Sequence, residues 1–451
     1  MATDTVYWLW LSLSLSYGSP AVKPLLAAFG DARGVFAASE EEIASVKHVY
    51  ASERKRIAMH DLSRAEEIAE YCMHASVRVL TVADPEYPLS LLAISNPPAV
   101  LYVRGTLPDL NRLPCIGVVG ARAMSYYGAT AACEIAYDLG RMGCVTVSGL
   151  ALGIDGVTAA ATLASGGKTV AVMGSGIDRP YPREHTRLYQ EIVSHGGAVV
   201  TEFAPYEGAD AFHFPLRNRV ISGISRALIL VEGEAKSGAL ITANYARKEG
   251  KCVFAVPGKI GEKNSEAPHL LLKRDARLLT CADDVYDAFK EEYFSSLNPF
   301  ALLPKVDLDM EAILRKYGVA VGKEKSKEKK LLGVTEEGST GGGVLDKLRG
   351  FFGRKTKEAD AAVPSPQTQS AMVAPDPKQT REHLDGERAT LLSQTAFAVY
   401  SSLSYDTPVH PDEITLDGIG AESVSAELIT MEVLGFVTLT AGGCYVKNEN
   451  V

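Results

Sequence analysis

A chain of 451 residues with 46% apolar side chains is long enough for about two to four domains and at least one large core. Its 46 basic against 55 acidic residues, net −9, argue against a general polyanion binder, so any basic patch must be local. Seven scattered cysteines, without a CxxC pair or a histidine cluster beside them, point to buried reduced thiols in a cytosolic protein and away from a metal site.

Taken in chain order, residues 1–75 read as a small helical domain of the SAM or helix-hairpin type. The apolar stretch "VYWLWLSLSLS" lacks a basic leader and is too short and serine-rich to span a membrane, so it is expected as the first core helix. Ser39 with Glu42 has the spacing of a capping box. Residues 76–111 carry short strands broken by prolines and read as a connector. From Cys115 the pattern is regular: "CIGVV", "CVTVS", "KTVAVM", "GAVVTEF", "ALILVE", "CVFAVP" and "ARLLT" alternate with helical stretches. Strands this uniformly apolar are buried on both faces. Residues 112–290 are therefore expected to form an α/β, extended Rossmann-like, doubly wound and mostly parallel sheet.

Residues 291–383 are charged, then glycine-rich, then proline-rich, and read as a disordered linker; "VLDKLRGFFGRK" within it has the pattern of a transient amphipathic helix. Residues 384–451 read helix, short helix, helix, hairpin, an order that suits a winged helix. That segment holds ten acids and two bases, and its third helix carries Glu427 and Glu432 and no cation, so it reads as a protein-contact module that repels nucleic acid.

The stretch "GVVGARAMSYYG", Gly117 to Gly128, has the strand–turn–helix form of a phosphate loop but neither GxGxxG nor GxxxxGK[ST], and no cofactor is expected. Helix starts are partly positive and favour acids. Here Arg122 follows the first strand, Arg217 and Arg219 follow Pro215, and Lys236 precedes a Ser237 cap. Such starts become favourable once an anion arrives. Arg183, after the third strand, and the small residues at strand ends, Ser148, Gly149, Gly174 and Ser175, fall on the same edge of the sheet. Local pairing of Arg219 or Lys236 with Glu202, Glu232 or Glu234 is the alternative. Tyr126, Tyr127, Tyr181, Phe212 and Phe214 interleave with the cations, either as core or as a stacking platform for single strands. No nucleophile–base set, carboxylate pair or metal-ligand spacing stands out.

The ordered blocks "DPEYP", "NPPAVLYVRG", "GVVGAR", "SGLALGID", "GGKTVAVMGSGIDRPYP", "HFPLRNRVISGIS", "LILVEGEAKSGALITANYA" and "LLTCADDV" resemble the DNA-processing protein A (DprA/Smf) family, almost continuously from Asp84 to Val285. The resemblance implies a non-enzymatic, sequence-independent single-stranded DNA binder that dimerises and helps load the RecA recombinase in natural transformation. It matches Arg122 to the arginine of a "GSR" block, with Ala121 for serine. It matches Phe214 to Arg219, including Asn218, to "FPxRNR", and Ser237 to Thr242, including Gly238, to "SGSLIT". The chain departs from the family at Ala159 and at Ala267-Pro268-His269, the latter where a dimer contact is implied. The run His269, Leu270, Leu271, Leu272 is expected at that self-contact, because one narrow helix face cannot bury three successive leucines. The alternative is a nucleoside-monophosphate phosphoribohydrolase of the lysine-decarboxylase-like group, whose "PGGxGTxxE" is here "PGKIGEKNSE".

Overall fold

An unbroken apolar strand needs cover on both faces, and the sheet supplies it. The structure, a computed structural model, describes residues 2–298, 306–320, 381, 385, 392–433, 435–440 and 444–448. Six helices come first: α1 (Ala2–Ser14), α2 (Val22–Phe29), α3 (Ala32–Ala37), α4 (Glu40–Ser45), α5 (Ala51–Ala58) and α6 (Ser63–His74). The Ser39–Glu42 capping box starts α4: Glu42 N–H donates to Ser39 Oγ, and Ser39 N–H donates to the Glu42 carboxylate at 2.8 Å. The segment read as a connector adds strands to the sheet itself. It forms β1 (Arg78–Thr81), α7 (Leu89–Ala93) and β2 (Val100–Gly105).

The main alternation follows: β3 (Cys115–Val119), α8 (Tyr126–Arg141), β4 (Val145–Ser148), α9 (Ile154–Ala164), β5 (Lys168–Val172), α10 (Thr186–Ser194), β6 (Ala198–Thr201), α11 (His213–Ile224), β7 (Ala227–Leu230), α12 (Gly238–Lys248), β8 (Cys252–Ala255), α13 (Glu266–Arg274), β9 (Arg277–Leu278) and α14 (Asp283–Phe289). The order across the sheet is β1-β2-β6-β5-β4-β3-β7-β8-β9. From β6 to β9 every pair is parallel; β2 joins β6 antiparallel, and β1 joins β2 antiparallel. The two-residue period of a strand splits each one between two cores. Ile116 and Val118 of β3 pack with α8, α9 and the N-terminal helices, whereas Cys115 and Val119 pack with α11, α12 and α13. The chain is thus α/β with a doubly wound, mostly parallel Rossmann-like sheet.

Part of the stretch read as linker is ordered. α15 (Met310–Tyr317) buries Met310, Leu314 and Tyr317, one stripe at helical spacing, against the core beside α9. The amphipathic stretch at 344–355 lies outside the described residues. The C-terminal part comprises α16 (Gln394–Ser401), a 3-10 turn at Pro411–Glu413, α17 (Ala421–Val433), and a hairpin of β10 (Val437–Leu439) and β11 (Tyr445–Lys447) around its own small core. Its acids meet the body of the protein: Lys248 Nζ lies 2.6 Å from Glu432 Oε1, and Ala51 N–H donates to Asp412 Oδ2 at 2.9 Å. Among the described residues no helix is long and apolar enough to cross a membrane.

Candidate nucleic-acid interface

The strand order reverses at β3. From there the chain steps outward through β4, β5 and β6, then returns to lay β7 on the other side of β3. Loops leaving β3 and β7 diverge at such a point and open a crevice at the carboxyl edge. A cavity of about 580 Å³ lies there, lined by Arg122 and Asp155 on one side and by Phe214, Arg217, Asn218, Lys236, Ser237 and Gly238 on the other.

The start of α8 does not await an anion. Ser125 caps it, accepting from Gly128 N–H at 3.0 Å, and the buried Glu232 carboxylate at the end of β7 accepts both Ser125 N–H and Ser125 O–H. Gly128 is required by this approach, since a Cβ there would lie 2.2 Å from the Glu232 carboxyl carbon. The positive end of α8 is therefore already met by an internal acid. Arg122 is exposed beyond it, with its guanidinium 5.0 Å from the centroid of the Phe214 ring. Asn264 closes the floor, donating to Ala123 C=O at 2.9 Å and to Glu232 at 3.3 Å.

Helix α11 begins at His213, two residues before Pro215, so Arg217 and Arg219 stand in its second turn and not its first. Two residues are 200° around a helix, and the two arginines face opposite ways. Arg217 is only 4% exposed. Its Nη1 donates to the carbonyls of Gly149 and Val172, and its Nε donates to Asn218 Oδ1 at 3.2 Å. Nη2 has no partner among the described residues and belongs to a side chain that lines the cavity. Asn218 in turn donates to Gly238 C=O at 3.2 Å, which ties α11 to the start of α12. Burial draws Arg217 down to about 10, opposed by Asp155 and reinforced by Arg122, so it stays charged at neutral pH. Burial pushes Asp155 up to about 6, although Arg217 and the N–H groups of Gly149 and Ala151 favour its ionised form.

The other strand-end residues support this arrangement from behind. Gly149 lets the Arg217 guanidinium approach, since a Cβ would lie 2.6 Å from it. Gly174 seats the Phe214 ring at about 3.0 Å from where a Cβ would stand. Ser148 is buried and its Oγ donates to Asp155 C=O at 3.4 Å. Ser175 is buried outside the cavity, donating to Arg179 C=O at 2.7 Å. Arg183 is exposed in a 3-10 turn and does not line the cavity. Arg219 does not join the basic pocket either: it is 1% exposed and pairs with the buried Glu202 on the far face of α11. Of the leucine run, Leu271 is buried, Leu272 is half-buried against the domain's own core, and Leu270 is 39% exposed. His269 Nε2 lies 3.0 Å from Gly258 C=O. Asp155 and Glu232 escaped sequence reasoning as parts of the site. Asp155 reads as an ordinary helix-start acid, and nothing in the linear order brings Glu232 to Ser125.

Comparison with known proteins gives a consistent picture. The profile of the family described as DNA recombination-mediator protein A matches residues 78–290. The chain is 36% identical to the DNA processing protein DprA of Bacillus subtilis, over 50% of this chain and 75% of that one. It is 40% identical to DprA of Streptococcus pneumoniae, over 47% and 73%, and 42% identical to protein Smf of Escherichia coli, over 46% and 56%. The X-ray structure of the Streptococcus pneumoniae DprA is similar with a TM-score of 0.55 and 32% identity, covering 63% of this chain and 97% of that one.

Proposed function

The chain belongs to the DprA/Smf family of DNA-processing proteins, and on that premise we propose that it binds single-stranded DNA without sequence preference in the cavity at the carboxyl edge of its sheet. The observation that carries this reading is the preset Arg217. Its guanidinium is held by two carbonyls and Asn218, and its side chain lines the cavity together with Phe214 and Lys236. A charge already desolvated and oriented loses little freedom on meeting a phosphate. Phe214, half-buried at the cavity with its ring against Gly174 and the Arg122 guanidinium 5.0 Å from its centroid, is the ring on which a base would stack irrespective of its identity. Phosphate contacts and base stacking carry no sequence information, which suits a binder indifferent to sequence.

The strand so held is then presented to the RecA recombinase, in recombination and in natural transformation, by a protein that is not itself an enzyme. The stretch Pro257 to Glu266, which would carry the phosphoribohydrolase alternative, serves local structure: Glu266 accepts Ala235 N–H at 3.1 Å. We further propose that the chain self-associates through α13 and the edge strand β9, a reading that exposed Leu270 and Leu278 support and buried Leu271 does not. Leu270→Glu is expected to yield folded monomers by light scattering, and dimers in that variant would remove the contact. The central test is fluorescence anisotropy of labelled oligothymidylate and of a duplex of equal length at two salt concentrations. Preference for the single strand, weakened by salt, is expected; equal or absent binding overturns the reading.

A further inference from the structure

The carboxyl ends of β3, β4, β5 and β6 follow one another along the sheet, so the loop after β6 begins about 14 Å from the one that carries Arg122. The loop after β5 brings out Tyr181, 45% exposed, with its ring 5.6 Å from that of Phe214. Two bonds tie this loop to the next: Tyr206 N–H donates to Asp178 Oδ1 at 2.8 Å, and Gly176 N–H donates to Glu207 C=O at 3.0 Å. Tyr206 is 48% exposed and has φ of 73°, a left-handed backbone that a bulky residue adopts only at a cost. Its ring meets Tyr71 of α6 edge-on at 5.1 Å, and the Arg64 guanidinium lies 5.9 Å from its centroid. A large ring held half in water on an unfavourable backbone is a poor choice for stability, where glycine or asparagine would serve the turn better.

We propose that Tyr206, with Tyr71 and Arg64, is a second stacking station for the strand held in the cavity, so that the N-terminal helices take part in DNA binding. This rests on the single-strand reading above. Tyr181 then bridges the two stations, because its loop follows β5, where Gly174 seats the Phe214 ring, and is tied to the loop after β6 that carries Tyr206. An exposed ring under a guanidinium accepts any base and offers its phosphate a cation. Arg64 is paired with Glu67 at 3.0 Å on the surface, a pair weak enough for a phosphate to displace. The acids of α6, Glu66, Glu67 and Glu70, oppose phosphate but not a base face, so the station works by stacking more than by charge.

Tyr206→Gly removes the ring and relieves the left-handed backbone, so it tests the station without threatening the fold. Affinities are measured by anisotropy for oligothymidylates of about 2 and about 20 nucleotides, the shorter one too short to reach from the cavity to Tyr206. The variant is expected to bind the long strand roughly fivefold or more weakly and the short strand as wild type does. Tyr206→Phe is expected to bind both lengths normally, and Arg64→Ala to weaken only the long strand. Unchanged long-strand affinity in Tyr206→Gly, or equal weakening at both lengths, overturns the inference while leaving the cavity reading intact. Failure of the wild type to bind either length overturns both.

Discussion

The two faces of α11 hold chemically identical side chains two residues apart and put them to opposite uses. On one face Arg217 is gripped by neutral carbonyls and an amide, and its charge remains available to the cavity. On the other, Arg219 is closed by Glu202, and its Nε and Nη1 and the Glu202 Oε1 are buried with no hydrogen-bond partner among the described residues. Asp155 shares the cavity with Arg217 without an ion pair to it, so Arg217 can still recruit an anion from outside, whereas Arg219, closed by a carboxylate, has already met its anion. The partner, and not the presence of an arginine in a motif, is what distinguishes Arg217, proposed to bind the strand, from Arg219, which is tied up in the fold.

The largest effect expected from breaking this contrast is on stability. Arg219→Ala leaves Glu202 buried and uncompensated, and should destabilise the protein by about 3–5 kcal/mol in urea unfolding. Pairing Arg219→Met with Glu202→Leu should recover most of that loss. Where the variants remain folded, single-strand affinity should match wild type; a specific loss of affinity would move Arg219 into the binding face.

The pH response of Asp155 sharpens the comparison from the cavity side. Its carboxyl titrates near 6 in the folded protein, above the ordinary 3.8, so protonation favours the fold. That contribution is fully present below about pH 4 and is lost as pH rises through about 6, a change on the order of 3 kcal/mol. Urea melts of wild type and Asp155→Asn at pH 5 and above pH 7 should show a stability difference that the variant lacks. Strand affinity should also rise as pH falls through 6, since the cavity then loses its carboxylate charge.

Arg122→Ala should weaken strand binding and lower the salt slope by about 0.7, the share of one phosphate contact on a single strand. Its stability should stay within about 0.5 kcal/mol of wild type, because the side chain is exposed. An unchanged slope would leave Arg217 and Lys236 as the phosphate-binding cations. The smallest effect concerns the C-terminal module. Removing residues 384–451 takes away ten acids and two bases, and strand affinity should be intact or slightly raised. A clear fall in an anisotropy titration would show that the module contributes to binding despite its charge.

The sequence by itself determined the sheet and its cover. Every apolar run from "CIGVV" to "CVFAVP" became a strand, because burial on both faces leaves a signature that each segment carries alone, whereas "ARLLT" became the short exposed edge strand β9. It also marked which cations stand near strand ends, since helix starts are local and their charge preference is known. Only the tertiary structure decided what those cations face. The start of α8 is occupied by Glu232 from β7, a residue 107 positions away from Ser125, and no local pattern records that approach. The two-residue shift in the start of α11 placed Pro215 inside the helix, and the 200° between Arg217 and Arg219 then sent one to the cavity and the other to Glu202. Met310, Leu314 and Tyr317 lie in a stretch whose composition resembles a linker, yet they form a helix because α9 offers a surface for their apolar stripe to cover. Local propensity is encoded residue by residue, whereas the identity of a charge's partner depends on how distant segments are folded together.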